Sequence, residues 1–303
     1  MEFLRFLETI RVPGLNELML AVTQLGDETA FLVVALIVFW CVDKRKGYYI
    51  LSVGFIGTLA NQFMKLWFRI PRPWVLDEDF TILEQAREGA SGYSFPSGHT
   101  QSAVGTFGAI AYTAKNKLLR IVCVVIAVLV PFSRMYIGVH TPLDVLTAAA
   151  IAVLLIVALR PVVFGKNGTY IPVLLGIMTV LALAYLCFVE LYPFPADIDQ
   201  HNLASGIKNA YTLLGALLGM LVVYTVDERW IHFQTKAVWW AQAAKIVGGL
   251  MLVLLIKSGT KDLLNSLMGE QIGRAARYFL MVIAAGILWP LTFRYFGKLG
   301  NRE

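Results

Sequence analysis

Nine runs of mostly apolar residues, separated by short polar connections, narrow most strongly what this chain can fold into. They lie near residues 26–42, 47–68, 99–114, 118–136, 142–159, 170–192, 205–226, 238–258 and 276–296. A helix crossing the hydrocarbon core of a bilayer needs roughly 17–25 predominantly apolar residues, and most of these runs reach that length. With 58% of 303 residues hydrophobic, 15% charged and a mean hydropathy of +0.67, the chain carries more apolar surface than a soluble core requires. The expected fold is an all-α polytopic membrane bundle of about nine helices. The third run, TQSAVGTFGAIAYTA, is short and rich in small residues, which suits a helix packed inside the bundle.

The net charge of +6 comes from basic residues in short clusters between the apolar runs, the pattern of membrane edges and not of a nucleic-acid surface. Nine crossings put the two termini on opposite sides. One side then holds Lys44, Arg45, Lys46, Lys115, Lys117, Arg120, Arg160, Lys166, Arg229, Lys236, Arg294, Lys298 and Arg302; the other holds Arg5, Arg11, Arg69, Arg87, Lys257, Lys261, Arg274 and Arg277. The richer side, which includes the C-terminus, is expected to be cytoplasmic. The opening MEFLRFLETIRVPG lacks the basic, apolar and small-residue succession of a cleaved signal. It reads as a short amphipathic helix lying on the membrane or packed on the bundle. Cys41, Cys123 and Cys187 all fall in apolar runs and read as packing residues, with no disulfide, redox site or metal site implied. A softer boundary near 160–170 divides residues 1–160, with five runs, from residues 161–303, with four.

Three polar segments sit at the mouths of apolar runs on one expected face, the non-cytoplasmic one: KLWFRIPRP from Lys65, PSGH from Pro96, and SRMYIGVHTPLD from Ser133. Lys65, Arg72 and Arg134 are costly together near a membrane surface unless an anion offsets them. Headgroup snorkelling accounts for Lys65 or Arg69 singly, but poorly for the whole set. If the fifth run begins at Pro142, Thr141 caps it and Asp144 sits in its first turn, a Thr-x-x-Asp capping box. Asp144 reads equally as the carboxylate that fixes one tautomer of His140 and leaves the other ring nitrogen nucleophilic, and both roles are compatible. Ser97 and Gly98 open the third run, where a cap and free amides suit an anion, and His99 adds a proton donor near neutral pH.

Together these segments resemble the signature of the type-2 phosphatidic acid phosphatase superfamily, Lys-x6-Arg-Pro, Pro-Ser-Gly-His and Ser-Arg-x5-His-x3-Asp. Lys65, Arg72 and Pro73 fit the first part, Pro96 to His99 the second, and Ser133, Arg134, His140 and Asp144 the third, with every spacing kept. The resemblance implies a metal-independent, cofactor-free hydrolysis through a phosphohistidine. His140 would attack phosphorus, Asp144 would orient it, and His99 would protonate the leaving group and then activate water. Lys65, Arg72, Ser97, Gly98 and Arg134 would bind the phosphoryl oxygens. The motifs cover only about residues 65–144. The lysine segment follows the second run and four further runs come after the core, a layout similar to the nine-span glucose-6-phosphatase branch. RPWVLDEDF, and LASGIKNAYTLLGALLG with its Lys208, look like parts of that branch, although no cysteine lies between Trp74 and Pro96.

The implied activity is hydrolysis of a phosphomonoester or pyrophosphate, with a lipid substrate such as phosphatidate, a lysolipid phosphate or an isoprenoid pyrophosphate in front. A soluble sugar phosphate is the alternative. Vanadium haloperoxidases share the phosphate-binding residues but are soluble proteins, and a non-catalytic anion or lipid binder needs no nucleophile. The expected partners are membrane lipids and the phosphorylated substrate, without nucleic acid, and the oligomeric state is not legible. Lys208 reads as a snorkelling lysine or a secondary site residue, Lys245 lies deep in its run without an assigned partner, and His232 reads as solvated.

Overall fold

A computed structural model describes residues 1–90 and 92–297, without the side chains of Glu88, Lys166 and Asn167; Lys298 and Arg302 lie outside the described residues. Every regular element among the described residues is helical. The chain divides into two compact units interleaved in sequence. One comprises Met1–Val34, Tyr49–Pro161 and Asp197–Leu203; the other comprises Ala35–Tyr48, Val162–Ala196 and Ala204–Glu303.

The helices are α1 (Glu2–Thr9), α2 (Pro13–Gln24), α3 (Glu28–Cys41), α4 (Lys44–Phe68), the single turn α5 (Pro73–Leu76), α6 (Gly98–Thr113), α7 (Lys117–Tyr136) and α8 (Pro142–Phe164). There follow α9 (Ile171–Leu191), α10 (Gln200–Val226), α11 (Trp239–Gly259), α12 (Lys261–Met268), α13 (Glu270–Ile283) and α14 (Phe293–Phe296). Each of the nine expected runs falls on helix. By length and apolarity, however, the described residues contain six helices able to cross a membrane, or seven if the α2–α3 pair, bent by 52°, counts as one span. The expected count of nine exceeds this for physical reasons. α6 has only 16 residues, and α4 opens on Lys44, Arg45 and Lys46 and carries Lys65 near its end. The outer faces of α7, α8 and α9 present Leu118, Val128, Leu154 and Val180 at 63–70% exposure, which is what a hydrocarbon solvent accepts.

In the first unit, α6 packs along α7 through Ala103, Phe107, Ala111, Cys123 and Val130. The break between α2 and α3 sits tight against the start of α6, where a Cβ on Gly26 would come within 2.8 Å of the His99 carbonyl oxygen. α1 is docked on the protein. Leu4 and Leu7 are buried with Phe80 and Ile82, and Arg5 donates to both carboxylate oxygens of Asp77 at 2.7 and 2.8 Å. Glu8 accepts from the amide of Thr81 at 3.0 Å.

In the second unit, Trp40 donates to the Ala285 carbonyl at 2.8 Å, and Lys44 pairs with the buried Asp227 at 2.5 Å. Lys245 is fully buried; its ammonium donates to the Thr235 carbonyl at 2.9 Å and lies 4.1 Å over the Phe293 ring. Cys41, Cys123 and Cys187 are all free; Cys123 is buried, Cys41 half-buried and Cys187 exposed, so the packing role expected from sequence suits Cys123 best.

Candidate active site

The site is built outward from the first turn of α8. The Thr141 amide donates to Asp144 Oδ2 at 2.8 Å and the Asp144 amide donates to Thr141 Oγ1 at 3.3 Å, a reciprocal capping box that fixes the carboxylate. The same Oδ2 accepts the Ser94 hydroxyl at 2.6 Å and lies 3.4 Å from His140 Nδ1. The Ser97 amide donates to the Asp144 carbonyl at 3.1 Å, which ties the PSGH segment to the start of α8.

On the other edge of the imidazole, Arg72 divides its donors three ways. Nε donates to the Gly92 carbonyl at 2.9 Å, and Nη1 lies 2.9 Å from both the Val139 carbonyl and His140 Nε2. A guanidinium only donates, so Nε2 must supply the lone pair, and in a neutral ring the proton then sits on Nδ1, facing Asp144 and Ser94. Burial pushes the His140 pKa well below its ordinary 6.5, and the charges of Arg72, Arg134, Lys65 and His99 push the same way. His140 and Asp144 are therefore a neutral imidazole beside a carboxylate and not an ion pair. At 3.4 Å the contact is long, and Ser94 supplies the shorter bond to the carboxylate. Arg72 is itself pushed down to about 10 by burial, against the pull of Asp144, and stays charged at neutral pH.

The turn that delivers His140 follows from the end of α7. The Val139 amide returns to the Arg134 carbonyl at 3.1 Å, and Gly138 has φ of +88°, a conformation that favours glycine. A Cβ at Gly138 would also meet Arg11 Nη2 at 2.8 Å. Arg11 braces this turn, with Nε donating to the Tyr136 carbonyl at 3.0 Å and Nη1 to the Thr81 carbonyl at 2.8 Å.

The remaining phosphate-binding candidates are grouped less tightly. Arg134 is 3% exposed; its Nη1 donates to Thr23 Oγ1 at 2.8 Å, and its Nε is buried without a hydrogen-bond partner among the described residues. Lys65 donates to the Tyr93 carbonyl. Ser97 is the cap of α6, its Oγ accepting from the Thr100 hydroxyl at 2.9 Å. A Cβ on Gly98 would meet nothing within 4 Å, which leaves the first amides of α6 approachable. His99 is half-buried in the first turn of α6. Lys208 is exposed on α10, and its ammonium makes no hydrogen bond or ion pair among the described residues.

Sequence reasoning missed Ser94, Thr23 and Arg11. Ser94 stands two residues before Pro96 with no spacing that marks it, and only its burial and its bond to Asp144 reveal it. Thr23 is a lone hydroxyl in α2 that is 3% exposed. Arg11 stood only in the charge count, yet it sits 5.5 Å from the Phe80 ring centroid and reaches the His140 turn.

A neutral histidine with a carboxylate at one edge and a guanidinium at the other, near further buried cations, is an arrangement chemically able to attack a phosphoryl group. Residues 45–167 match the family profile described as PAP2 superfamily, and residues 211–302 match PAP2 superfamily phosphatase, transmembrane extension. The chain is similar to Phosphatidylglycerophosphatase B of Bacillus subtilis (strain 168), at 35% identity over 159 residues, spanning 48% of this chain and 74% of that protein. It is also similar to Undecaprenyl-diphosphatase BcrC of the same organism, at 28% identity over 143 residues, spanning 46% of this chain and 71% of the relative. A crystal structure of the first transmembrane PAP2 type phosphatidylglycerolphosphate phosphatase from Bacillus subtilis matches at 32% identity with a TM-score of 0.44, covering 52% of this chain and 80% of that one. The chain belongs to the PAP2 superfamily and is a multi-pass membrane phosphatase.

Proposed function

We propose that this protein hydrolyses a phosphomonoester or diphosphate of a membrane lipid through a phosphohistidine on His140. The observation that carries this reading is the orientation of that ring: Nε2 presents a lone pair while Nδ1 faces Asp144 and Ser94. At rest, Arg72 covers the lone pair. An arriving phosphoryl group offers its oxygens to the same N–H, which releases Nε2 to attack phosphorus. Asp144 stabilises the imidazolium that forms. His99 takes up a proton as the negative charge of the bound phosphoryl group offsets the neighbouring cations, gives it to the leaving oxygen, then takes one from the water that cleaves the phosphohistidine. Lys65, Arg72, Arg134, Ser97 and the Gly98 amide hold the equatorial oxygens, whose charge dominates such transition states. These side chains supply the cationic charge, so the reaction is assigned as metal-independent.

A lipid substrate is supported by the names of the relatives, a phosphatidylglycerophosphatase and an undecaprenyl-diphosphatase. It is also supported by motifs that sit at the ends of apolar helices. The basic-residue count favours a non-cytoplasmic site and a cytoplasmic C-terminus. Residues 1–160 are assigned as the phosphatase core, and residues 161–303 as a C-terminal membrane extension.

The test is trapping of labelled phosphate on rapidly quenched protein in detergent, its survival compared in acid and in alkali, with phosphatidate, an isoprenoid pyrophosphate and glucose 6-phosphate as substrates. Label that is alkali-stable, acid-labile and absent from His140→Ala supports the mechanism. Turnover retained by His140→Ala would remove it. Preference for glucose 6-phosphate would replace the lipid by a soluble substrate, and loss of activity in EDTA restored by magnesium would refute metal independence.

A further inference from the structure

The second unit contains a cavity of 520 Å³ that takes no part in the chemistry above. Its walls include Trp230, His232, Phe233, Lys236, Phe293 and Arg294, and among the described residues none of the lining carries a carboxylate. Of the two acids that precede the lining segment, Asp227 is 1% exposed, pairs with Lys44 at 2.5 Å and accepts the Phe233 amide at 3.1 Å, and Glu228 is exposed and not part of the lining. Positive charge also backs the wall. Lys245 lies 4.1 Å over the Phe293 ring, and the only polar partner of its ammonium among the described residues is the Thr235 carbonyl, between lining residues Gln234 and Lys236. A fully buried ammonium without a carboxylate is costly in a membrane helix, and an anion in the neighbouring cavity would lower that cost.

The rest of the surroundings specify what kind of anion. Trp230 in the wall is 69% exposed, and Tyr295, whose hydroxyl accepts from Arg294 Nη2 at 2.8 Å, is 58% exposed, side chains of the kind that marks the boundary between headgroups and hydrocarbon. Pro290 and Leu291 add an apolar wall. A free oxyanion gains nothing from such walls, whereas an amphiphile uses both kinds of surface.

We propose that this cavity binds the headgroup of an anionic phospholipid, its phosphodiester between Lys236 and Arg294 and its glycerol and first acyl carbons against Trp230 and Leu291. The experiment measures binding of short-chain phosphatidylglycerol, phosphatidylcholine and inorganic phosphate to the full chain in detergent by native mass spectrometry and by thermal shift. The phosphatidylglycerol form should bind at least about tenfold more tightly than the choline form. Lys236→Gln with Arg294→Gln should reduce that preference to within about twofold, and the charge-keeping pair Lys236→Arg with Arg294→Lys should restore it. Recovery in the second pair separates loss of charge from misfolding. A preference that persists in the glutamine pair would overturn the assignment, as would no preference in the unmodified chain. Displacement of the lipid by an equal concentration of inorganic phosphate would overturn the lipid as occupant.

Discussion

Arg72 in the first unit and Lys245 in the second are both buried cations, 6 and 0% exposed, yet their surroundings differ in kind. Arg72 shares its donors among two backbone carbonyls and the ring nitrogen of His140, with Asp144 on the far side of that ring. Lys245 is held by one carbonyl and one aromatic face. Arg134 and Arg277 repeat the contrast. Each has a buried Nε without a hydrogen-bond partner among the described residues. Arg134 nevertheless contributes to the field on His140, whereas the guanidinium of Arg277 stands 5.9 Å from the ring centroid of Tyr278. Burial of charge in a membrane protein therefore does not by itself define a reaction site. What defines it is a lone pair held where the unneutralised donors converge.

The contrast can be broken most directly at His140. His140→Ala should lower phosphate release by at least about 10³-fold in a detergent assay, with the protein still purifying as a monodisperse species. Asp144→Asn should cost about 10²- to 10³-fold, since it weakens both the tautomer and the stabilisation of the charged ring. Ser94→Ala should cost about tenfold, the equivalent of about 1.4 kcal/mol, because Asp144 then keeps only the Thr141 amide and the long His140 contact. The smallest effect belongs to the second unit. Arg277→Met should leave turnover within about twofold and should not lower the melting temperature, because replacing an unpaired buried charge by an apolar side chain is often neutral or stabilising. A large loss of turnover there would enrol Arg277 among the catalytic cations and erase the contrast.

The pH profile sharpens the same point. His140 attacks only when neutral, and its pKa is lowered by burial first and by Arg72 second. The acid limb of kcat/KM that reports His140 should therefore lie below pH 6.5, and Arg72→Gln should move it upward while lowering the plateau. For stability the sign is the same. Above about pH 7 the ring is neutral in both folded and unfolded chains and contributes no pH dependence. As pH falls below about 6.5, the unfolded chain takes a proton that the folded chain refuses, and stability is lost. A melting temperature that rose on acidification through this window would contradict a buried neutral His140.

Much of this was legible in the sequence. The Thr141–Asp144 box and the order of the motifs needed no coordinates, because capping contacts join residues only three or four apart. The number of crossings was less legible: α6, with 16 residues, and α4, with four lysines and arginines, are helices whose composition does not declare a span. The partners of the motifs were not legible at all. Ser94 reaches Asp144 across 50 residues, Thr23 reaches Arg134 across 111, and Arg11 reaches the Tyr136 carbonyl across 125.

By itself the sequence determined that the chain would be helical and would live in a bilayer, since in hydrocarbon a helix satisfies its backbone hydrogen bonds within its own segment. It also determined which residue types could grip and attack a phosphoryl group. Only the tertiary structure decided that Arg72 faces Nε2 of His140, that Ser94 and not His140 makes the short bond to Asp144, and that α1 and Arg11 are docked onto the loop and the turn beside them. These contacts join segments far apart in the chain, so they depend on how the helices pack and where their loops return, which no local pattern encodes.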